Sequence, residues 1–401
     1  MLDVLIVGAG PAGSVAATVL ARAGASVRIL DRATFPRDKL CGDTINPGTL
    51  ARLRQLKMAE AIDRSGLPVE GMLVTGEGGV AIEGRYPNGV HGRSLTRADL
   101  DWALLKEAMV AGAEFEQSVT VRSALAGETS GVPIVEGVAI GATSLRSRVT
   151  IAADGRRSTV AFGLGLARHP VRPRRWAIGA YFEEASPRSA SAVGEMHIRA
   201  GRYIGVAPVP EGLTNVCLVL PVSRRSFDGP NLGPSVGPSF SSGAYPGFSD
   251  PEALLRRELN RDDVLRDRFA GARLVKPPVV LGPLAVDAVD RTLDGLILAG
   301  DAAGFIDPMT GDGLRFAVRG GELAAAAALD ALQHGWANVH ARLRMARQRE
   351  FAAKWRFNRM LRTLVAWPAA LRVAAAGARV SPGVVRAIIA RAGDCDLAED
   401  S

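Results

Sequence analysis

The first thirty-one residues, MLDVLIVGAGPAGSVAATVLARAGASVRILD, restrict the fold more than any other stretch of the chain. Residues 2–7 are an almost unbroken apolar run, the pattern of a strand buried on both faces of a parallel sheet. The run passes straight into Gly8-Ala9-Gly10-Pro11-Ala12-Gly13, a GxGxxG at a strand-to-helix junction. Residues 15–23 have a helical, alanine-rich pattern, and residues 26–30 read as a second strand ending at Asp31. Each part has a physical role. Gly8 permits the tight turn, Gly10 lets a pyrophosphate approach the backbone, and Gly13 lets helix and strand pack closely. Pro11 and Ala12 open a helix whose free N–H groups and dipole suit phosphate. Asp31, with Arg32 beside it, is spaced to accept hydrogen bonds from an adenosine ribose. The stretch predicts a Rossmann-like dinucleotide site and by itself leaves FAD and NAD(P) both open.

A chain of 401 residues holds two or three domains, and 47% apolar with 22% charged residues fits a globular protein without a membrane span. Three scattered cysteines (Cys41, Cys217, Cys395) argue against a disulfide framework and for a reducing compartment. No basic stretch precedes the first strand, so no secretory signal is expected. Five dispersed histidines and the lack of a cysteine pair give no metal site. The net charge of +8 is unevenly placed: residues 341–391 carry twelve Arg or Lys against Glu350 alone. A cytoplasmic protein with no nucleic-acid partner is expected.

Residues 32–48 are polar and rich in Gly and Pro, a loop. Its run Phe35-Pro36-Arg37-Asp38-Lys39-Leu40-Cys41-Gly42-Asp43 closely resembles a loop of the geranylgeranyl reductase-like branch of the p-hydroxybenzoate hydroxylase superfamily. In that branch a Lys-x-Cys-Gly segment lies against the flavin, which implies FAD and places Lys39, Cys41 and Gly42 at it. On chemistry alone, Lys39 can neutralise phosphate or flavin charge and Gly42 permits close approach to a flat ring. The alternative for Cys41 is a small buried hydrophobe. Residues 71–86 alternate and turn at Gly78-Gly79, a hairpin. Thr96 is a candidate N-cap for a helix running to about residue 111. The resemblance sets Arg97, at the start of that helix, against FAD, where otherwise it would be a solvated first-turn arginine. Residues 119–126, 135–142 and 145–153 read as a β-meander whose last strand delivers Asp154-Gly155, similar to the family's Asp-Gly motif at the cofactor.

From residue 171 the βα rhythm stops, and residues 175–183, 193–198, 203–209 and 213–221 alternate as strands of an antiparallel sheet. The segment from Tyr203 to Pro210 is similar to the family's cavity-lining strand, which makes Tyr203, Gly205 and Ala207 candidate substrate contacts. Gly205 and Ala207 depart from it, standing where bulky aromatics are common. Residues 223–250 read as a long loop and candidate lid.

A second motif follows the strand at 293–299: Gly300-Asp301-Ala302-Ala303-Gly304-Phe305-Ile306-Asp307-Pro308-Met309-Thr310-Gly311-Asp312-Gly313-Leu314. It matches the superfamily's FAD motif almost throughout. The match implies that Asp301 binds the ribityl or pyrophosphate part, and that Pro308, Gly311, Asp312, Gly313 and Leu314 bring a helix N-terminus to the flavin. Phe305 and Leu314 stand where aromatic hydroxylases carry His and Asn, and no Trp-x-Trp-x-Ile-Pro segment of a halogenase is present.

The expected architecture is α/β: a Rossmann-like FAD-binding domain (1–65, 95–170, 286–332), an interleaved antiparallel β-sheet substrate domain (66–94, 171–285) and a helical C-terminus (333–401). The resemblance implies an FAD-dependent oxidoreductase acting on a hydrophobic prenyl, polyketide or similar small molecule. Reduction or dehydrogenation is preferred to hydroxylation. A monooxygenase using NAD(P)H and oxygen and a non-catalytic, membrane-associated FAD protein are the rivals. With no second GxGxxG, electrons come from transiently docked NAD(P)H or a donor protein. No catalytic acid or base is assigned. Residues 341–391 offer a peripheral contact with the inner face of an anionic membrane, the preferred alternative being a solvated helix that caps the substrate domain.

Overall fold

The computed structural model describes residues 1–129, 131–171, 175–185, 193–221, 250–305, 309, 311–366 and 382–399. The expected lid at 223–250 lies outside the described residues, apart from residue 250. A parallel sheet forms in the order Glu114–Glu116, Val27–Leu30, Leu2–Val7, Thr143–Ala152, Leu296–Leu298. Val4, Leu5 and Ile6 are fully buried because both faces are covered. On one face Val4, Ile6 and Ile29 meet helices Pro11–Arg22, Arg97–Val110 and Gly313–His334. On the other, Leu5, Val7 and Leu30 meet the meander Ser123–Thr129, Val132–Ile140, Thr143–Ala152. The last strand belongs to both layers. It starts antiparallel to Val132–Ile140 and ends parallel to the first strand, so its C-terminal end delivers Asp154 beside the glycine turn.

A second sheet draws its strands from 71–85 and 175–281. Arg175–Glu183, Leu213–Pro221, Arg202–Val209 and Val193–Arg199 run antiparallel, as their alternation predicts. The hairpin Gly71–Thr75/Ala81–Arg85 adds at the edge, but Gly71–Thr75 lies parallel to Val193–Arg199, so the sheet is not purely antiparallel. Period-2 alternation divides the side chains. Ile178, Phe182, Ile204, Val206 and Leu218 pack under helix Pro251–Asn260, while Tyr203, Ala177 and Val219 face the cofactor loops.

Two expectations need correction. The loop 32–48 contains a short strand, Thr44–Ile45, paired with Gly92–Ser94. Two residues are too few to show a period. The helix Val339–Ala366 does not cap the substrate sheet. Val339 and Leu343 join the core under helix Gly313–His334, because the turn at Gly335 folds the chain back on itself. The helix Pro382–Gly393 reaches the edge of the second sheet, where Ile389 lies against Gly84 and packs with Val69 and Tyr86. Among the described residues no helix is long and apolar enough to cross a membrane.

Candidate cofactor and substrate site

The glycine turn is built by close approaches. Gly8 has φ +102°, and a Cβ there would lie 2.5 Å from the Ala153 carbonyl oxygen and 2.8 Å from Asp154 Cα. A Cβ on Gly13 would lie 1.9 Å from the Gly8 oxygen, so helix Pro11–Arg22 can leave the strand only from a glycine. Gly10 is different: its nearest neighbour is Arg37 Nη2 at 3.5 Å, which leaves open space at the helix N-terminus. Asp31 locks this turn to the second strand, its Oδ2 accepting from Ala9 N–H and its Oδ1 from Ala33 N–H, both at 2.8 Å. Arg32 is exposed.

The second motif is pressed onto the first. A Cβ on Gly300 would come within 2.9 Å of Ala12 Cβ, and one on Gly321 within 2.5 Å of the Ala12 oxygen. Lys39 Nζ lies 3.8 Å from the Cβ position of Gly155. Burial, then the Arg97 charge, pushes Lys39 down to about 8, with Asp301 opposing. Arg156 is buried, its Nε has no hydrogen-bond partner, and burial lowers it to about 10. Asp301 bears on both cations. Asp154 Oδ2 accepts from Thr159 N–H at 2.8 Å, and Oδ1 is buried without a hydrogen bond. Burial raises its pKa.

Arg97 is not a solvated arginine. It is 5% exposed, chelates Asp101 through Nε (2.8 Å) and Nη2 (2.9 Å), and lies near Cys41. Arg37 adds a second ion pair to Asp101 at 3.0 Å. Gly42 has open space around its Cα. In the second motif Gly311 takes φ +71° and Asp312 precedes helix Gly313–His334. The Asp312 side chain is turned to Lys354 Nζ at 3.0 Å, and Leu314 points into the core with Leu50, Leu53 and Leu100. Those two side chains serve the fold, and their helix N-terminus is the part available to a cofactor. Pro308 lies outside the described residues.

Tyr203 lies on the sheet face that meets the cofactor loops, in one apolar cluster with Leu40, Met196, Cys217, Phe305 and Met309. Gly205 and Ala207 share that face by alternation. A Cβ on Gly179 would lie 1.8 Å from Leu40 Cδ1, so a glycine lets the loop dock on the sheet. Gly205 has nothing nearer than 3.9 Å to its Cβ position. Sequence reasoning missed Arg156, Leu40 and Met309 as site residues. Leu40 and Met309 stood inside quoted motifs and Arg156 follows the Asp154-Gly155 turn directly, but only contact in space singles them out.

The profile of the FAD binding domain family matches residues 1–227. The chain belongs to that family. It is 31% identical to the menaquinone reductase of Mycobacterium tuberculosis (strain ATCC 25618 / H37Rv) over 80% of this chain and 75% of that one. It is 30% identical to digeranylgeranylglycerophospholipid reductase 2 of Methanopyrus kandleri, over 82% and 78%. Conditioned medium factor receptor 1 of Dictyostelium discoideum is 28% identical over 82% of this chain, which spans only 63% of that protein's length. The fold is shared with the flavin-dependent brominase Bmp2 (TM-score 0.79, 19% identity, 98% and 94% covered).

The residues of this flavoprotein fit FAD. Gly10 and the free N–H groups of its helix leave room and donors for a pyrophosphate. Lys39 and Arg156 bring positive charge to the same rim, and Asp31 holds the turn from the end of the second strand. The start of helix Gly313–His334 approaches from the side of Phe305, 3.6 Å from the Cβ position of Gly313.

Proposed function

We propose that this chain is an FAD-dependent reductase or dehydrogenase of a hydrophobic, prenyl-type small molecule. One observation carries the reading. The cofactor loops and the second sheet meet in an apolar cluster that includes Leu40, Met196, Tyr203, Phe305 and Met309, surroundings suited to a hydrocarbon chain. The reductase relatives support the prenyl class. Bound FAD supplies two-electron transfer. The chain's own residues bind it through Gly10, Lys39 and Arg156, orient substrate on the sheet face and exclude water with the apolar cluster. Phe305 and Leu314, in place of hydroxylase-type His and Asn, favour reduction over oxygen chemistry. NAD(P)H docking transiently, or a donor protein, is the proposed electron source. We also propose a cytoplasmic protein whose basic segment 341–391 makes weak peripheral contact with anionic membrane.

Photoreduced protein, kept anaerobic and mixed with a short-chain polyprenyl quinone, should return to oxidised flavin with formation of a reduced product. Mixed with oxygen instead, it should return to oxidised flavin and release peroxide. Oxygen-18 from labelled dioxygen appearing in the product would overturn this reading in favour of a monooxygenase.

A further inference from the structure

We propose that Asp43 is the proton donor of the substrate face, held there by Tyr181 and Asn215. The assignment rests on the reductase reading above. Asp43 ends the loop that carries Leu40 and Cys41 onto the sheet, and its φ of +54° is one that Asp tolerates better than most side chains. Its carboxyl is 1% exposed. The Tyr181 hydroxyl donates to Oδ2 at 2.5 Å and Asn215 Nδ2 donates to the same oxygen at 2.7 Å. Oδ1 is buried with no hydrogen-bond partner. Two donors on Oδ2 and none on Oδ1 suit a protonated acid carrying its hydrogen on Oδ1, because an ionised buried oxygen without a donor is costly.

The location is the substrate face. Tyr181 pairs with Asn215, and Asn215 with Ala207, across neighbouring strands. Direct cross-strand partners share a face, so Asp43 docks where Gly205 and Ala207 line the sheet. The titratable groups around it are Tyr181 and Cys217 on the sheet, Arg97 and Asp101 on the helix, and Cys41 on the loop. Burial pushes Asp43 up to about 7, against the pull of Tyr181, Arg97 and Asn215. Cys217 is pushed up to about 12, chiefly by burial, and keeps its proton. In reduction of a carbon–carbon double bond, one carbon receives hydride from the reduced cofactor, which ends oxidised. The other takes the Oδ1 proton of Asp43, and water returns a proton to the carboxylate.

Asp43→Asn keeps the shape and removes the acid. Both proteins should bind FAD and be photoreduced alike. Anaerobic saturation of the prenyl double bond of a short-chain polyprenyl quinone, read as a two-hydrogen gain in product mass after reoxidation of the ring, should be slowed by about 10²–10⁴-fold in the variant. The wild-type rate should fall as pH rises through about 7, and the variant's should be flat. Tyr181→Phe removes a donor to the carboxylate and should move the wild-type limb to higher pH. Without substrate, infrared spectra of the FAD-loaded wild type should show a protonated-carboxyl band that disappears through the same pH range and is missing from Asp43→Asn. Absence of that band in the wild type, or an unchanged rate and pH profile in the variant, overturns the assignment. A wild type that keeps the band but reduces no prenyl substrate overturns the reductase reading, and the proton-donor role falls with it.

Discussion

At the residue scale, two glycines of the first turn have separable duties. A Cβ on Gly13 collides with the Gly8 oxygen at 1.9 Å, whereas one on Gly10 meets only Arg37 Nη2 at 3.5 Å, the movable end of a side chain. Gly10→Val should therefore fold and lose the yellow colour, while Gly13→Val should fail to fold or melt far lower. Absorbance of the purified proteins and their thermal melts check this, and an FAD-replete Gly10→Val would remove the pyrophosphate assignment from this turn. These duties are legible in sequence because turn, helix and Asp31 lie within one short segment. Asp43 is the opposite case. Its partners Tyr181 and Asn215 are 138 and 172 residues away, so nothing beside it in the chain marks it. Arg97 is intermediate: its partner Asp101 is one helical turn on and readable, but the burial of the pair is not.

At the scale of elements, strands and helices with a full period are legible, and their partners are not. Arg175–Glu183 and Leu213–Pro221 alternate over nine residues each and form as expected. Gly71–Thr75 and Val193–Arg199 are both legible as strands, but no local pattern announces that they pair in parallel. The cofactor-side helix Gly313–His334 shows the same limit. Its N-terminal Asp312 is neutralised from outside by Lys354, which also pairs with Asp394 at 3.1 Å and donates to the carbonyls of Arg391 and Ala392. Lys354 is 2% exposed, so removing its charge takes a counter-ion from both Asp312 and Asp394 in a poorly solvated site, with Arg315 still 2.8 Å from Asp394. Lys354→Met should cost about 3–5 kcal/mol in urea unfolding, and adding Asp312→Asn should recover part of it. A loss under 1 kcal/mol would mean that this junction is wet and the buried pair carries little.

At the scale of the whole molecule, the basic C-terminal segment looks in sequence like a membrane-facing surface, and its pairing in the fold reduces that charge. Arg342 pairs with Asp330, Arg344 with Asp290, Lys354 with Asp312 and Asp394, and Arg391 with Asp396. Helix Val339–Ala366 also turns Val339, Leu343 and Phe351 inward, which commits these apolar side chains to the core. Among its described side chains, Met345 and Met360 are about half exposed. A basic side chain near an anionic surface contributes about 1 kcal/mol at most, and those already paired contribute less. The attraction left over is electrostatic, and the Debye length of about 8 Å at 0.15 M salt screens it. Sedimentation with phosphatidylserine-rich vesicles should therefore pull the protein down at low ionic strength and release it at about 0.15 M. Neutral vesicles should not retain it under either condition. Retention on anionic vesicles at high salt would require apolar insertion and would defeat the weak peripheral contact proposed here.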